Sequence, residues 1–423
     1  MVTTILLLLF FLLTPILLIY LCRISKTINK IGVVVLAYAV GLLIGNLLIL
    51  PNASENYKIE LGTDASIPKT EIQNLYDKGD VSSADLIVNQ IKGLQDSVMS
   101  VAILLAIPLM LFSLDLKRWL KFARGAMLSL ILAMVSLLTV IVLGYFLFKN
   151  VIPEPSKVAG MLIGVYTGGT PNLAAIGTAL DVTPNTFILT HTYDMAIGAL
   201  TLIFILTVAQ RVFNYILPTF NENHKHILKE DISKEAKSMD DFTEMITRKG
   251  IPQLLLAFAI SIIIVAVAIG LSMIVPEDFK MVTIILSITT LGLLASLVKK
   301  INRIKKSFQL GMYLIIVFSL IVASMGDILA MFQLDYIYLF AFVALAVIGS
   351  MVIHVGLSFL FKVDADSTII TITALTYSPP FVPVVASAIK NKEVIISGLT
   401  VGIIGYAFGN YLGIFIAYFL ERL

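Results

Sequence analysis

A chain of 423 residues, 58% hydrophobic and 13% charged, with a mean hydropathy of +0.97, is too apolar for a water-soluble globule, where about a quarter of residues carry charge. Its formal charge of +3 comes from Lys and Arg gathered between apolar runs, with no long basic tract, so no nucleic-acid partner is expected. The single cysteine, Cys22, excludes an intrachain disulfide. The expectation is an all-α polytopic membrane protein whose helices are themselves the domain.

In chain order, runs of about 20 apolar residues, the length that crosses a bilayer core, are predicted at 2–22, 31–50, 97–114, 125–148, 158–180, 186–209, 251–275, 280–298, 309–332, 335–361, 367–389 and 394–420. The first has no basic leader, and Arg23, Lys26 and Lys30 follow it, so it reads as a retained helix rather than a cleaved signal. Residues 51–97, with eight acidic residues, four Lys and no Arg, suit an extracytoplasmic loop. Residues 210–250, with seven basic and seven acidic residues, suit a cytoplasmic linker between a first membrane half, 1–209, and a second, 251–423.

Two basic clusters mark cytoplasmic loops: Lys117, Arg118, Lys121 and Arg124, then Lys299, Lys300, Arg303, Lys305 and Lys306. If all twelve segments cross, the clusters fall on opposite sides of the membrane. At least one segment between 125 and 298 is therefore expected to be re-entrant or incomplete, which leaves about 11–12 transmembrane helices. The same correction makes segments 158–180 and 367–389 antiparallel, as inverted-topology repeats require.

Those two segments are each interrupted near the middle, by Thr167-Gly168-Gly169-Thr170-Pro171-Asn172 and by Thr376-Tyr377-Ser378-Pro379-Pro380. At membrane depth an exposed backbone group survives only where it lines a cavity or a bound solute, and a pair of such breaks in corresponding halves points to a midplane binding site. Gly168 and Gly169 suit a left-handed helix end. Thr170 followed by Pro171 suits a new N-terminus, and Ser378-Pro379 repeats that pattern 208 residues later. Facing helix ends of opposite partial charge suit an anion with a cation beside it.

Asp194 is the second signal. A carboxylate inside an apolar span is costly unless it faces a cavity or partner. Counting eight residues back from Leu180 to Asn172 and eight forward from Thr186 to Asp194, about 12 Å of rise each way, predicts similar depths for Asn172 and Asp194. Asp194 is expected to hold the coupling ion, H⁺ or Na⁺. His191, one turn earlier on the same face, is a candidate relay. Two ligands on one helix do not make a transition-metal site. Asn410, set among Gly402, Gly405, Gly409 and Gly413, is a candidate lining residue on a small-residue packing face.

Tyr166-Thr167-Gly168-Gly169-Thr170-Pro171-Asn172, Asp194 in the next helix and the GxxGYAFGxxxG pattern from Gly402 to Gly413 resemble the YjcL-like family of integral membrane proteins of unknown function (domain of unknown function 819). That family is similar to the superfamily of cation/proton antiporters and anion symporters. The resemblance implies two discontinuous helices crossing in a core, an ion-binding carboxylate at Asp194 and a homodimer. The chain departs from that superfamily at Tyr377-Ser378-Pro379-Pro380-Phe381, where a GGPxT-like run is expected.

The resulting expectation is a secondary transporter in a bacterial cytoplasmic membrane. It would couple H⁺ or Na⁺ to a small organic anion or amino-acid-like solute. The solute site would draw on Thr167, Gly168, Gly169, Thr170, Asn172, Tyr377, Ser378 and Asn410. No cofactor is expected, and no phosphate-cradling loop suggests an ATPase. Two other classes stand beside it. Tyr193-Asp194 and Gly326-Asp327 resemble the paired aspartates of intramembrane aspartyl proteases, although Ser324 departs from that pattern. A passive channel is the third.

Overall fold

The computed structural model describes residues 2–25, 28, 32–47, 51, 53–61, 66–114, 116–220, 242–243, 245, 247–248, 250–325, 336–377, 379–391 and 393–423. Among these the protein is an all-α polytopic membrane protein. Eight helices are long and apolar enough to cross a bilayer: Ile5–Ile24, Ser83–Phe112, Met127–Phe148, Pro184–Ile216, Gly250–Ser272, Ser307–Ser324, Ile337–Leu360 and Val394–Glu421. Val33–Asn46 and Lys280–Ser296 are shorter apolar helices. Leu255, Ile263 and Ile274 lie exposed on and just beyond the helix Gly250–Ser272, an arrangement that suits lipid and not water.

The chain forms two compact units that do not follow the two halves of the sequence. One comprises Met1–Ala106, Thr183–Ile188 and Met312–Gln333; the other comprises Ile107–Val182, Leu189–Gly311 and Leu334–Leu423.

In the first unit, the segment expected to be a loop, 51–97, is largely helical. Glu55–Leu61 and Lys69–Lys78 precede a 30-residue helix that starts at Ser83, well before the predicted 97. Tyr57, Leu61, Ile67, Ile72, Val81 and Val88 form a small core. Polar composition hid this cap because its few apolar residues are spread over three elements. The fully buried Asp85 accepts from Ser54 N at 2.8 Å, Ser82 N at 2.8 Å and Ser82 Oγ at 2.6 Å. Asn89 accepts from the Tyr57 hydroxyl and from Ile67 N, both at 2.8 Å. Burial, then the Asp85 charge, pushes the Tyr57 phenol up to about 12.

In the second unit, the two interrupted segments reverse instead of crossing. Lys157 Nζ donates to the Asp181 carbonyl at 2.7 Å, although a straight helix would hold these residues about 36 Å apart. The reversal continues inward: a Cβ on Gly160 would lie 3.2 Å from Leu180 Cδ1, and one on Gly164 would lie 3.1 Å from the Asn172 carbonyl. Pro155–Ala179 is thus a helical hairpin with its tip at Gly168–Thr170.

The second segment closes in the same way. Ala365–Thr376 runs to a 3-10 turn at Pro379–Phe381, and Val382–Ala388 runs back. Asp366 accepts from Gln210 Nε2 at 3.0 Å and from Asn391 Nδ2 at 2.8 Å, 25 residues further on. Gln210 also donates to the Ile389 carbonyl at 2.8 Å. The crossing discontinuous helices implied by the family resemblance are therefore re-entrant hairpins, because polar contacts at each base hold the two arms side by side.

Counting the eight long and two shorter apolar helices as crossings, and the hairpins as none, leaves four crossings among the described residues between the two basic clusters. An even number puts both clusters on one side. The first hairpin lies within 125–298, where the charge argument asked for a segment that does not cross. The helix Pro184–Phe204 continues through a π-helical turn, Ile205–Ala209, to Ile216, beyond the predicted end at 209. The remaining part of the predicted linker, 221–241, lies outside the described residues.

Candidate functional site at the hairpin tips

The first hairpin turns on Gly169, at φ 68 and ψ −164, a conformation open in practice only to glycine. Gly168, also expected to be left-handed, stays helical, since one reversed residue suffices to turn the chain. Its bare Cα makes room for the Asn172 side chain. Just before the turn Tyr166 leaves helical geometry, at φ −91 and ψ 16.

Both tips lie against the helix Val394–Glu421. A Cβ on Gly402 would stand 2.7 Å from Pro379 Cγ and 3.2 Å from the Ala374 carbonyl of the second hairpin. One on Gly405 would overlap the Thr167 carbonyl of the first hairpin and lie 3.1 Å from Leu375 Cδ2 of the second. Gly409 faces Asn172 and Thr167. These glycines let two interrupted backbones approach one helix within a few residues of each other.

Asp194 is half-buried in the helix after the first hairpin. The Tyr166 hydroxyl is oriented toward its carboxyl without closing a hydrogen bond of standard geometry. The Tyr377 hydroxyl, at the end of the first arm of the second hairpin, is within electrostatic reach of the same carboxyl. It donates to the Gly198 carbonyl at 3.0 Å and pairs with Thr201 Oγ1. One carboxylate is thus within electrostatic reach of a phenol from each hairpin, and both phenols line a cavity whose wall carries no Lys or Arg.

Tyr166, Thr201, Thr376 and Tyr377 border an open cavity of ≈ 430 Å³. Two π-helical turns, Ile205–Ala209 and Leu345–Gly349, contribute Ile205 and Val347 to its wall. Such turns are rare and concentrate at functional sites.

The family model described as protein of unknown function (DUF819) matches residues 82–423, most of the chain. The chain belongs to this family. It is similar to the uncharacterized membrane protein YjcL of Bacillus subtilis (strain 168), at 25% identity over 335 residues that cover 76% of this chain and 82% of the relative. The family match takes in both hairpins, Asp194 and the glycine-bearing last helix, and starts one residue before the helix Ser83–Phe112. The protein is an integral membrane protein with a bacterial relative.

Within the family fold, the residues expected to form one site divide into two groups. Tyr377 lines the first cavity, within electrostatic reach of Asp194. Asn172 and Asn410 line a separate space of ≈ 270 Å³ with Pro171 and Tyr406. Asn172 Nδ2 reaches the Gly405 carbonyl at 3.4 Å, and Asn410 Nδ2 donates to Thr289 Oγ1 at 3.2 Å. Thr170 Oγ1 stands 3.5 Å from His191 Nε2, and Tyr166 faces Asp194. Tyr166 lies three residues before Gly169 and Asn172 three after it, on the two arms of one hairpin, so Asp194 stands beside the arm opposite that of Asn172. Equal residue counts track rise along a helix, but they ignore which way a side chain points.

Thr167 is spent locally, donating to the Ile163 carbonyl at 2.8 Å. Ser378 lies outside the described residues, as does Asp327 of the protease alternative. Sequence reasoning passed over Tyr166 and Thr201 as site residues, and weighed His354 as it weighed His191, as a relay or a structural imidazole. Tyr166 directly precedes the Thr-Gly-Gly-Thr-Pro run, and Thr201 sits two turns after Asp194 on the same helical face; both signals were present.

Proposed function

We propose that this protein is a secondary active transporter. It couples H⁺ or Na⁺ to the movement of a small organic anion or amino-acid-like solute by alternating access. The observation that carries this reading is the placement of Asp194 beside Tyr166 of one hairpin and Tyr377 of the other. Two re-entrant tips meeting at a carboxylate bring unsatisfied backbone dipoles and an ionisable group to one place. The helix ends at the tips favour the anionic part of a solute, and Asp194 binds the coupling cation.

On the crossing count above, an odd number of crossings among the described residues separates the hairpins, so they enter from opposite faces. That is the arrangement of an inverted repeat. It supports a kinship with the cation/proton antiporters and anion symporters. No enzymatic step is assigned to the site.

The test is purified full-length protein in liposomes, with imposed H⁺ or Na⁺ gradients and a panel of radiolabelled small carboxylates and amino acids. Uphill accumulation is expected, and Asp194→Asn should abolish it. Flux that stops at equal concentrations would identify a passive channel instead. Peptide cleavage lost in both Asp194→Asn and Asp327→Asn, without solute flux, would identify the protease.

A further inference from the structure

His354 lies 1% exposed in the helix Ser350–Leu360 and lines the same cavity as Tyr166 and Tyr377. Its Nε2 is 3.3 Å from Ser129 Oγ, which is also 3.5 Å from the Ser367 carbonyl. Ser129 has one hydroxyl proton. Given to the carbonyl, it leaves the oxygen to accept from Nε2–H, and Nδ1 is then a bare lone pair; given to Nε2, it leaves the ring proton on Nδ1. Nδ1 has no hydrogen-bond partner among the described residues. A buried ring nitrogen kept unpaired is costly in either form and calls for an occupant.

The cavity offers that occupant a defined chemistry. The Tyr166 hydroxyl, oriented toward the Asp194 carboxyl, is a donor near the first hairpin tip. Leu137, Ile372 and Leu375 supply apolar wall. The π-helical turn Leu345–Gly349 ends five residues before His354, so the imidazole sits on a helix whose backbone is already displaced from regular geometry.

We propose that His354 is a solute-binding residue whose Nδ1 accepts a hydrogen bond. The cavity takes a small carboxylate that also carries a hydroxyl or amino group, with that group on His354 and the carboxylate toward Tyr166 and the hairpin tip. This assignment rests on the transport reading for its solute class. It adds a requirement that reading lacks, a hydrogen-bond donor on the solute.

The chain has four histidines, so ¹⁵N-histidine NMR of the full-length protein in lipid nanodiscs resolves the imidazole, with His354→Gln for assignment. Glycolate, glycine and acetate are the probes. The expected result is an unprotonated Nδ1 in the probe-free protein that shifts with glycolate or glycine and stays fixed with acetate. Glycolate or glycine affinity should fall roughly tenfold in His354→Leu and persist in His354→Gln, which keeps an acceptor. A protonated Nδ1 overturns the proposal whatever the variants do. Probe-induced shifts at ¹³C-labelled aspartate or tyrosine with Nδ1 unmoved overturn the His354 subsite and leave the transport reading standing. Silence at both places overturns the small-carboxylate class and the subsite with it, while ion-driven uptake of another solute would still uphold coupled transport.

Discussion

Lys157 and Asp181, 24 residues apart, are joined by a 2.7 Å hydrogen bond from the ammonium to the backbone carbonyl. That bond turns an apparent transmembrane helix into a hairpin. Lys157 also pairs with Glu154 at 2.9 Å, so the base of the hairpin is anchored while the tip carries the glycine turn.

Cysteines at these two positions test the reversal directly. In a Cys22→Ser background, Lys157→Cys with Asp181→Cys should be bridged by a short bis-maleimide, read as a mass increase of one linker with both thiols consumed. A straight helix would separate the positions by about 36 Å, so an unbridged product would contradict the hairpin.

Gly405 should tolerate no side chain. Gly405→Ala places a methyl group against the Thr167 carbonyl, and overpacking of this kind costs about 1–3 kcal/mol. Thermal unfolding in detergent should show the loss. Gly356→Ala in the helix Ser350–Leu360, where nothing beyond the helix's own backbone and the chain neighbours lies within 4 Å of the added carbon, should be neutral or slightly stabilising.

The two phenols beside Asp194 should respond differently to loss of the hydroxyl. Tyr377→Phe removes a bond to the Gly198 carbonyl and the partner of Thr201, a destabilisation of about 1 kcal/mol. Tyr166→Phe removes a hydroxyl that lacks a standard bond, so melting should hold or rise. Coupled uptake in liposomes should nonetheless fall in Tyr166→Phe. Unchanged uptake there would remove Tyr166 from the site.

The second hairpin is latched at its base by Asp366. Asp366→Leu removes one acceptor each from the Gln210 and Asn391 amide groups, at about 1 kcal/mol per lost hydrogen bond. Hydrogen exchange in residues 365–389 should accelerate, while the first hairpin keeps its protection.

The cap before the family region should loosen in alkali. Folding raises the Tyr57 phenol from its ordinary 10.0 to about 12, so the folded cap favours the neutral form. Its contribution is complete below pH 10 and is lost as pH rises through about 12. Tyrosinate absorbance followed against pH should show one late-titrating phenol, absent in Tyr57→Phe.

Much of this organisation was legible in the residues. Hydropathy marked the apolar segments, because lipid rewards long apolar helices regardless of their neighbours. Gly169, the Thr170-Pro171 pair and the Tyr377–Pro380 run marked the interruptions through local backbone preference. Asp194 stood out because a carboxylate in an apolar span needs a reason. Even the parity of the basic clusters asked for a segment that is re-entrant or incomplete.

Tertiary contacts decided what those local signals could not. A glycine at positive φ permits a kink or a reversal equally. It was the Lys157–Asp181 and Asp366–Asn391 bonds, each spanning more than twenty residues, that selected reversal. Which residues meet at Asp194 depends on side-chain direction around several helices at once, and this brought in Tyr166 and sent Asn172 and Asn410 to another cavity. Composition and local propensity act along the chain, so they set where helices start and stop; the site is made by packing between segments far apart in sequence, which only the folded protein brings together.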